Sequence, residues 1–200
     1  MQDRIQSALK VFQKHQGVMR SFQIFEEGIQ PRILYQMRDE GLVIQEGRGL
    51  YRLANAQVWS DPDLAIISLR IPKGVICLIS ALYFHGITTQ IPHQVQVALP
   101  KDSEKPRIQY PPTRFFWISP KSFEAGIEKY IVDHVEVKVY SVAKTIADCF
   151  KFRNKIGMEV ALEALREGLR QQKCTSNEIL HFARIDRVER VILPYLESLA

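Results

Sequence analysis

Between Lys73 and Lys101 the chain carries no lysine, arginine, aspartate or glutamate. The apolar part of that stretch, "VICLISALYF", is only about half a membrane span and runs directly into "HGITTQIPHQ", so a buried helix is expected there and no membrane partner. Cysteine is scarce too. Cys77, Cys149 and Cys174 are far apart, odd in number and without CxxC or Cys/His spacing. They read as reduced core thiols of a cytoplasmic protein and supply no structural zinc set. The opening "MQDRIQSALK" has no apolar h-region, so no signal peptide is expected. GxxxxGK[ST] and GxGxxG are both missing, which leaves no recognised loop to cradle phosphate. There is also no internal repeat, low-complexity tract or poly-basic tail.

What the chain does have is 200 residues, 46% of them hydrophobic and 24% charged, enough for one large domain or a small one plus a medium one. The net charge of +5 is spread along the chain. It permits nucleic-acid binding without requiring it.

The first sixty residues carry the clearest pattern. Ile5, Ala8, Leu9 and Phe12 fall at helical spacing within residues 3–16, and Gly17 ends the run. A short helix is expected over residues 21–27, with Gly28 at the turn. A second runs over residues 30–40: Gln30 is at the cap, Pro31 at the first position, where a missing N–H costs nothing, and Gly41 follows the end. Then "LVIQ" and "LYRLA" flank "EGRG", a hairpin signal. Helix, helix, turn, helix and a two-stranded wing is the order of a winged helix-turn-helix, placed at residues 1–54.

The polar "NAQVWSDPD", residues 55–63, reads as a linker. Residues 64–200 read as an α+β domain with a small sheet and a helical C-terminus. Helices are expected over residues 63–69 and 75–84, and strands at "QVQVALP" and "TRFFWIS". A hairpin is expected around Asp133-His134. Helices then follow over residues 141–152 and 157–172, with two more opened by the capping boxes "TSNE" and "DRVE". Pro194 is expected to kink or end the last.

If residues 30–40 form a helix, Ile33 or Leu34 with Met37 and Leu42 supply its buried stripe. Gln30, Arg32, Tyr35 and Gln36 then face outward near its N-terminus, the end that enters the major groove in helix-turn-helix docking. Arginine can pair bidentately with guanine and glutamine with adenine. Arg20 before the second helix and Arg48 at the wing tip are placed for phosphates or a minor groove, contacts that position rather than specify.

With this module placed, "GRGLYRLA", "IPKGVICLISALYFHGIT" and "VYSVAKTIADCFKFRNKIGMEVALEALREGL" together resemble the AbiEi family, antitoxins of bacterial type IV toxin–antitoxin (abortive infection) systems. The resemblance runs from about residue 16 to residue 168, with the three blocks in order. It implies a winged helix that represses its own operon at inverted repeats in double-stranded promoter DNA, and a C-terminal domain that counters the toxin. It also implies a functional partner, an AbiEii-like nucleotidyltransferase encoded alongside, without requiring a stable complex. The family's recognition helix corresponds to residues 30–40 and its wing to residues 43–53. Gln30-Pro31 stands where many relatives carry a small polar cap, so no operator preference transfers.

Other chemistry is weaker. Glu136-Val137-Lys138 resembles the acidic-x-Lys strand of metal-dependent nucleases but lacks an upstream aspartate at a strand end. Lys144, Thr145 and Asp148 share one helix. They offer a candidate antitoxin surface or a salt-bridged helix start, Lys144 and Asp148 being four apart. His85 and His93 lack a third ligand, so no metal is expected. The reading is a non-enzymatic, cofactor-free, DNA-binding antitoxin and autorepressor. Its rivals are a stand-alone regulator with a ligand-sensing C-terminal domain, a nuclease using Glu136 and Lys138, and a protein-interaction module.

Overall fold

The computed structural model describes residues 2–47, 49–55, 61–132 and 135–199. The chain is mixed α+β and divides into two compact units, Met1–Ser60 and Asp61–Ala200.

Unit 1 begins with α1 (Gln2–Lys14), whose stripe of Ile5, Ala8 and Phe12 is buried. The next element, β1 (Val18–Arg20), has only three residues and was not expected from the sequence. Then come α2 (Ser21–Glu26), α3 (Pro31–Asp39), β2 (Val43–Gly47) and β3 (Leu50–Leu53). The sheet order is β1-β3-β2, antiparallel throughout, with Met19 opposite Tyr51 and Val43 opposite Leu53. Phe12, Met19, Ile24, Leu34, Met37 and Val43 are almost wholly buried and join the helices to the sheet. Between α2 and α3 the chain reverses at Gly28, whose φ of +82° is costly for any residue with a Cβ. The Ile29 amide there donates back to Ile24 O at 3.1 Å.

Unit 2 opens with α4 (Pro62–Arg70). The Asp61 carboxylate accepts from the Leu64 amide at 3.1 Å and Pro62 takes the first turn, so residues 62 and 63 of the expected linker belong to this helix. Residues 56–60 of that linker lie outside the described residues. The single helix expected over residues 75–84 is two elements, β4 (Val75–Ile76) and α5 (Leu78–Phe84), with Leu78 at a φ of +48°. An apolar run has no period to separate the two. Val75 and Ile76 pair antiparallel with β5 (Val95–Pro100), and Ile76 also pairs parallel with β8 (Val135–Tyr140).

With β6 (Thr113–Ile118) and β7 (Ile127–Val132), the sheet runs β6-β5-β4-β8-β7. The alternation of "QVQVALP" does not mark a solvent face. Gln96 is buried, and its side-chain oxygen accepts from the Ile79 amide at 2.8 Å, at the start of α5. After β6 the short α6 (Pro120–Glu124) leads into the β7–β8 hairpin, whose turn residues 133 and 134 are outside the described set.

The helical C-terminus comprises α7 (Val142–Lys151), α8 (Arg153–Ile156), α9 (Met158–Arg170), α10 (Ser176–Asp186) and α11 (Glu189–Glu197). Helix α7 is enclosed by α5, α9, α10 and α11 and is buried from Val142 to Phe150. Thr175 and Glu178 form the capping box expected at "TSNE". "DRVE" is not one. Asp186 ends α10, Arg187 turns the chain at φ +60°, and Val188 precedes α11. Pro194 does not end α11, which continues to Glu197 because buried Ile192 and Leu196 flank it.

Gly126, between α6 and β7, fixes how close the hairpin comes to α7. Its φ is +73°, and a Cβ there would lie 2.7 Å from Lys144 Cβ and 3.0 Å from Phe182 Cε1. Gly126→Ala combines backbone strain with overpacking and should cost about 2–4 kcal/mol. Urea unfolding followed by circular dichroism reads that loss, and a change under about 0.5 kcal/mol would contradict the packing described.

Candidate nucleic-acid interface

Helix α3 is amphipathic in the simplest way. Ile33, Leu34 and Met37 are buried against α1 and the sheet, while Gln30, Arg32 and Tyr35 are exposed on the other side. Gln30 precedes the helix in extended backbone and makes no side-chain cap bond. Tyr35 is 45% exposed. Gln36 differs from the sequence expectation. It is half-buried, and its amide donates to Glu40 Oε1 at 2.7 Å, one turn on.

Arg38 was missed from the sequence. Its guanidinium lies 5.3 Å from the Tyr35 ring centroid and pairs with Asp39 at 2.8 Å, a carboxylate contact that raises its pKa. The signal was available, because residues three apart on a helix are neighbours.

Arg20 ends β1 opposite Leu50, half-buried, and desolvation lowers its pKa from the ordinary arginine value. Its amide donates to Gln23 Oε1 at 2.9 Å, closing the first turn of α2. The hairpin carries a bulge between Gln45 and Gly47. Gly49 O accepts from the Ser21 amide at 2.9 Å and so ties the β2–β3 hairpin to the start of α2. Arg48 lies outside the described residues. Glu46 and Arg52 form an ion pair across the hairpin at 2.8 Å. The structure thus puts Arg32 and Tyr35 on α3, Gln30 immediately before it, and Arg20 on β1 of the same unit.

The second group of candidate residues is not a surface. Lys144, Thr145 and Asp148 are each 0% exposed, because α7 is wrapped by the other helices of unit 2. The Lys144 ammonium lies 2.5 Å from Asp148 Oδ1, 3.1 Å from Asp186 Oδ2, and 4.7 Å from the Tyr140 ring centroid. Asp186 also accepts from the Ser122 hydroxyl, and from Lys151 at 3.1 Å. Thr145 donates to Tyr140 O at 3.1 Å. Burial pushes the Asp148 carboxyl up to about 7 against the opposing pull of Lys144. Asp186 is held below the usual carboxylate range, since Lys144, Ser122 and Lys151 together outweigh its own burial.

Glu136 and Lys138 do not converge. Glu136 pairs with Lys129 at 3.2 Å, and Lys138 donates to Pro72 O at 3.0 Å. His85 is half-buried, with Nε2 2.7 Å from Tyr140 O, and His93 is exposed. Among the described residues, no group of three or more His, Cys, Asp or Glu side chains could hold a metal, and no helix is long and apolar enough to cross a membrane.

No protein-family model and no curated protein matches the sequence. A solved structure does. The RV2827C protein from Mycobacterium tuberculosis superposes with a TM-score of 0.63 at 12% identity, over 88% of this chain and 69% of that one. At that identity the likeness concerns the fold alone.

Because its folded-state pKa stands above the unfolded value, Asp148 stabilises the fold most at low pH, and that contribution is lost as pH rises through about 7. His85, which burial holds below the usual histidine range, acts in the opposite direction, its contribution being lost as pH falls. Comparison with Asp148→Asn separates the two. The stability of the variant relative to the unsubstituted chain should rise as pH rises from about 4.5 to about 7 and level off above that in urea unfolding. A difference that stays flat across that range would contradict the assigned shift.

Proposed function

We propose that this protein is a non-enzymatic, cytoplasmic, DNA-binding antitoxin and autorepressor of the AbiEi type, with unit 1 acting as a winged helix-turn-helix. One observation carries the DNA-binding reading: α3 buries Ile33, Leu34 and Met37 and leaves Arg32 and Tyr35 exposed, with Gln30 exposed just before its first turn. The element order of unit 1, with a two-stranded antiparallel wing after that helix, is the order such modules use. The antitoxin assignment rests on the sequence resemblance, with an AbiEii-like nucleotidyltransferase as the functional partner.

In this reading α3 enters a major groove and Arg32 pairs with a base. Tyr35 packs beside Arg38, and Arg20 contacts phosphate. From the sequence alone, Arg48 does the same. Phosphate contacts supply most of the affinity and a few base contacts the selectivity. One recognition helix reads only a few base pairs, so two copies occupy the inverted repeats.

A stand-alone regulator sensing a small molecule is the second reading. A cleft of about 750 Å³ in unit 2, within the usual size of ligand sites, favours it. A toxin-like nucleotidyltransferase gene immediately downstream would decide against it.

Fluorescence anisotropy with the chain's own upstream promoter DNA tests the proposal, with a scrambled duplex and a salt series alongside. Binding should be selective and salt-dependent, and Arg32→Ala should cost about 1–3 kcal/mol on the promoter. Equal weak binding to both duplexes would overturn specific recognition.

A further inference from the structure

The cleft in unit 2 is built from parts that the DNA-binding reading leaves unused. Its walls come from the end of α5, from Gly126 and β7, from the start of α7, and from the α9–α10 connection with the first half of α10. One wall is aromatic. The Phe84 and Tyr130 ring centroids are 4.9 Å apart at 66°, and the His85 ring stands 5.4 Å from Phe84 and 6.1 Å from Tyr130. Phe182 lines the same space. T-shaped contacts pair ring edges with ring faces, and the faces carry the negative part of the quadrupole.

The charges are unequal. Among the described lining residues, Glu128 and Glu178 contribute two carboxylates against the one ammonium of Lys173, and Lys173 already donates to His85 O. Glu178 is held ionised by the Thr175 amide and hydroxyl, which lower its pKa. Glu128 accepts from the Tyr130 hydroxyl, so its carboxylate lies beside the aromatic wall. His85 adds no positive charge near neutral pH. Its Nε2 must donate to the Tyr140 carbonyl, and burial lowers its pKa. At the opposite wall the first turn of α7 is closed by Ser141, whose Oγ accepts from the Lys144 amide at 3.4 Å.

We propose that this cleft binds an amine-bearing organic cation, its charged nitrogen held between the Glu128 carboxylate and the Phe84–Tyr130 rings. Aromatic faces next to a carboxylate attract ammonium groups by quadrupole and charge together. At about 750 Å³ the space exceeds a single ammonium and suits an extended amine. Such a nitrogen can come from a free polyamine or from a lysine side chain of another polypeptide. The inference does not depend on whether α3 binds DNA.

Isothermal titration of the full chain at about 150 mM salt tests it, with spermidine and an end-capped Gly-Lys-Gly peptide as separate probes. One of the two should bind saturably at one site, and which one does identifies the source of the nitrogen. Glu128→Gln, at an exposed position, and Tyr130→Ala should each weaken it about tenfold, whereas Tyr130→Phe, which keeps the ring, should retain affinity within about twofold. Glu197→Gln, an exposed acid on α11, should change nothing. The proposal is overturned if neither probe saturates, or if Glu197→Gln weakens binding as much as Glu128→Gln. Binding of AMP that depends on Lys173 and excludes both amines would also overturn it, making the cleft an anion site.

Discussion

A lysine ammonium with no access to water is the constraint on which the larger unit depends. Lys144 lies inside α7, and its charge is tolerable only because Asp148 on the same helix and Asp186 at the end of α10 both reach it. Asp186 in turn gathers Ser122 from α6 and Lys151 from the last turn of α7. Two cations and two carboxylates on α7 and α10 thus face one another, with the Ser122 hydroxyl of α6 beside them. Removing one partner strands a buried charge, which costs far more than losing the same pair at a surface. Asp148 Oδ2 has no partner among the described residues, so the cluster keeps one unmet acceptor even when fully charged. That unmet atom fits with the upward displacement of the Asp148 pKa.

The same cluster shows where sequence reasoning stops. The Lys144–Asp148 pairing follows from a spacing of four on a helix. Its burial does not, because it comes from α9, α10 and α11, which lie further along the chain. Asp186 looked like a helix cap because "DRVE" has a capping-box spacing, yet its partners Ser122 and Lys144 are 64 and 42 residues away. Local pattern had no means of choosing between the two roles. β1 was invisible for a related reason: three residues show no period, and the strand exists because β3, some thirty residues later, supplies its hydrogen bonds.

The outward face of α3 was legible, since helical period alone separates Ile33, Leu34 and Met37 from Gln30, Arg32 and Tyr35. What the period did not show is that neighbouring groups already occupy part of that face, with Gln36 bonded to Glu40 and Arg38 lying over Tyr35. Any base that Gln36 reads must compete with an existing 2.7 Å hydrogen bond, whereas no such bond involves the Arg32 side chain among the described residues. The cleft of unit 2 was not legible at all. Its walls come from four separate stretches, and Glu178 read only as the acid of a capping box.

The bond from the Ser21 amide to Gly49 O fastens the turn of the hairpin to the start of α2, beside the pairing of β1 with β3. A grip on a sugar-phosphate backbone by either part would therefore be made at a separation fixed when the protein folds, not adjusted on arrival. Rigidity of this kind shifts ordering entropy from the encounter to folding. Under the DNA-binding reading proposed above, it would also limit which groove widths the unit could straddle. A duplex of the wrong local shape would be rejected by the spacing of the two contacts before any base edge was tested.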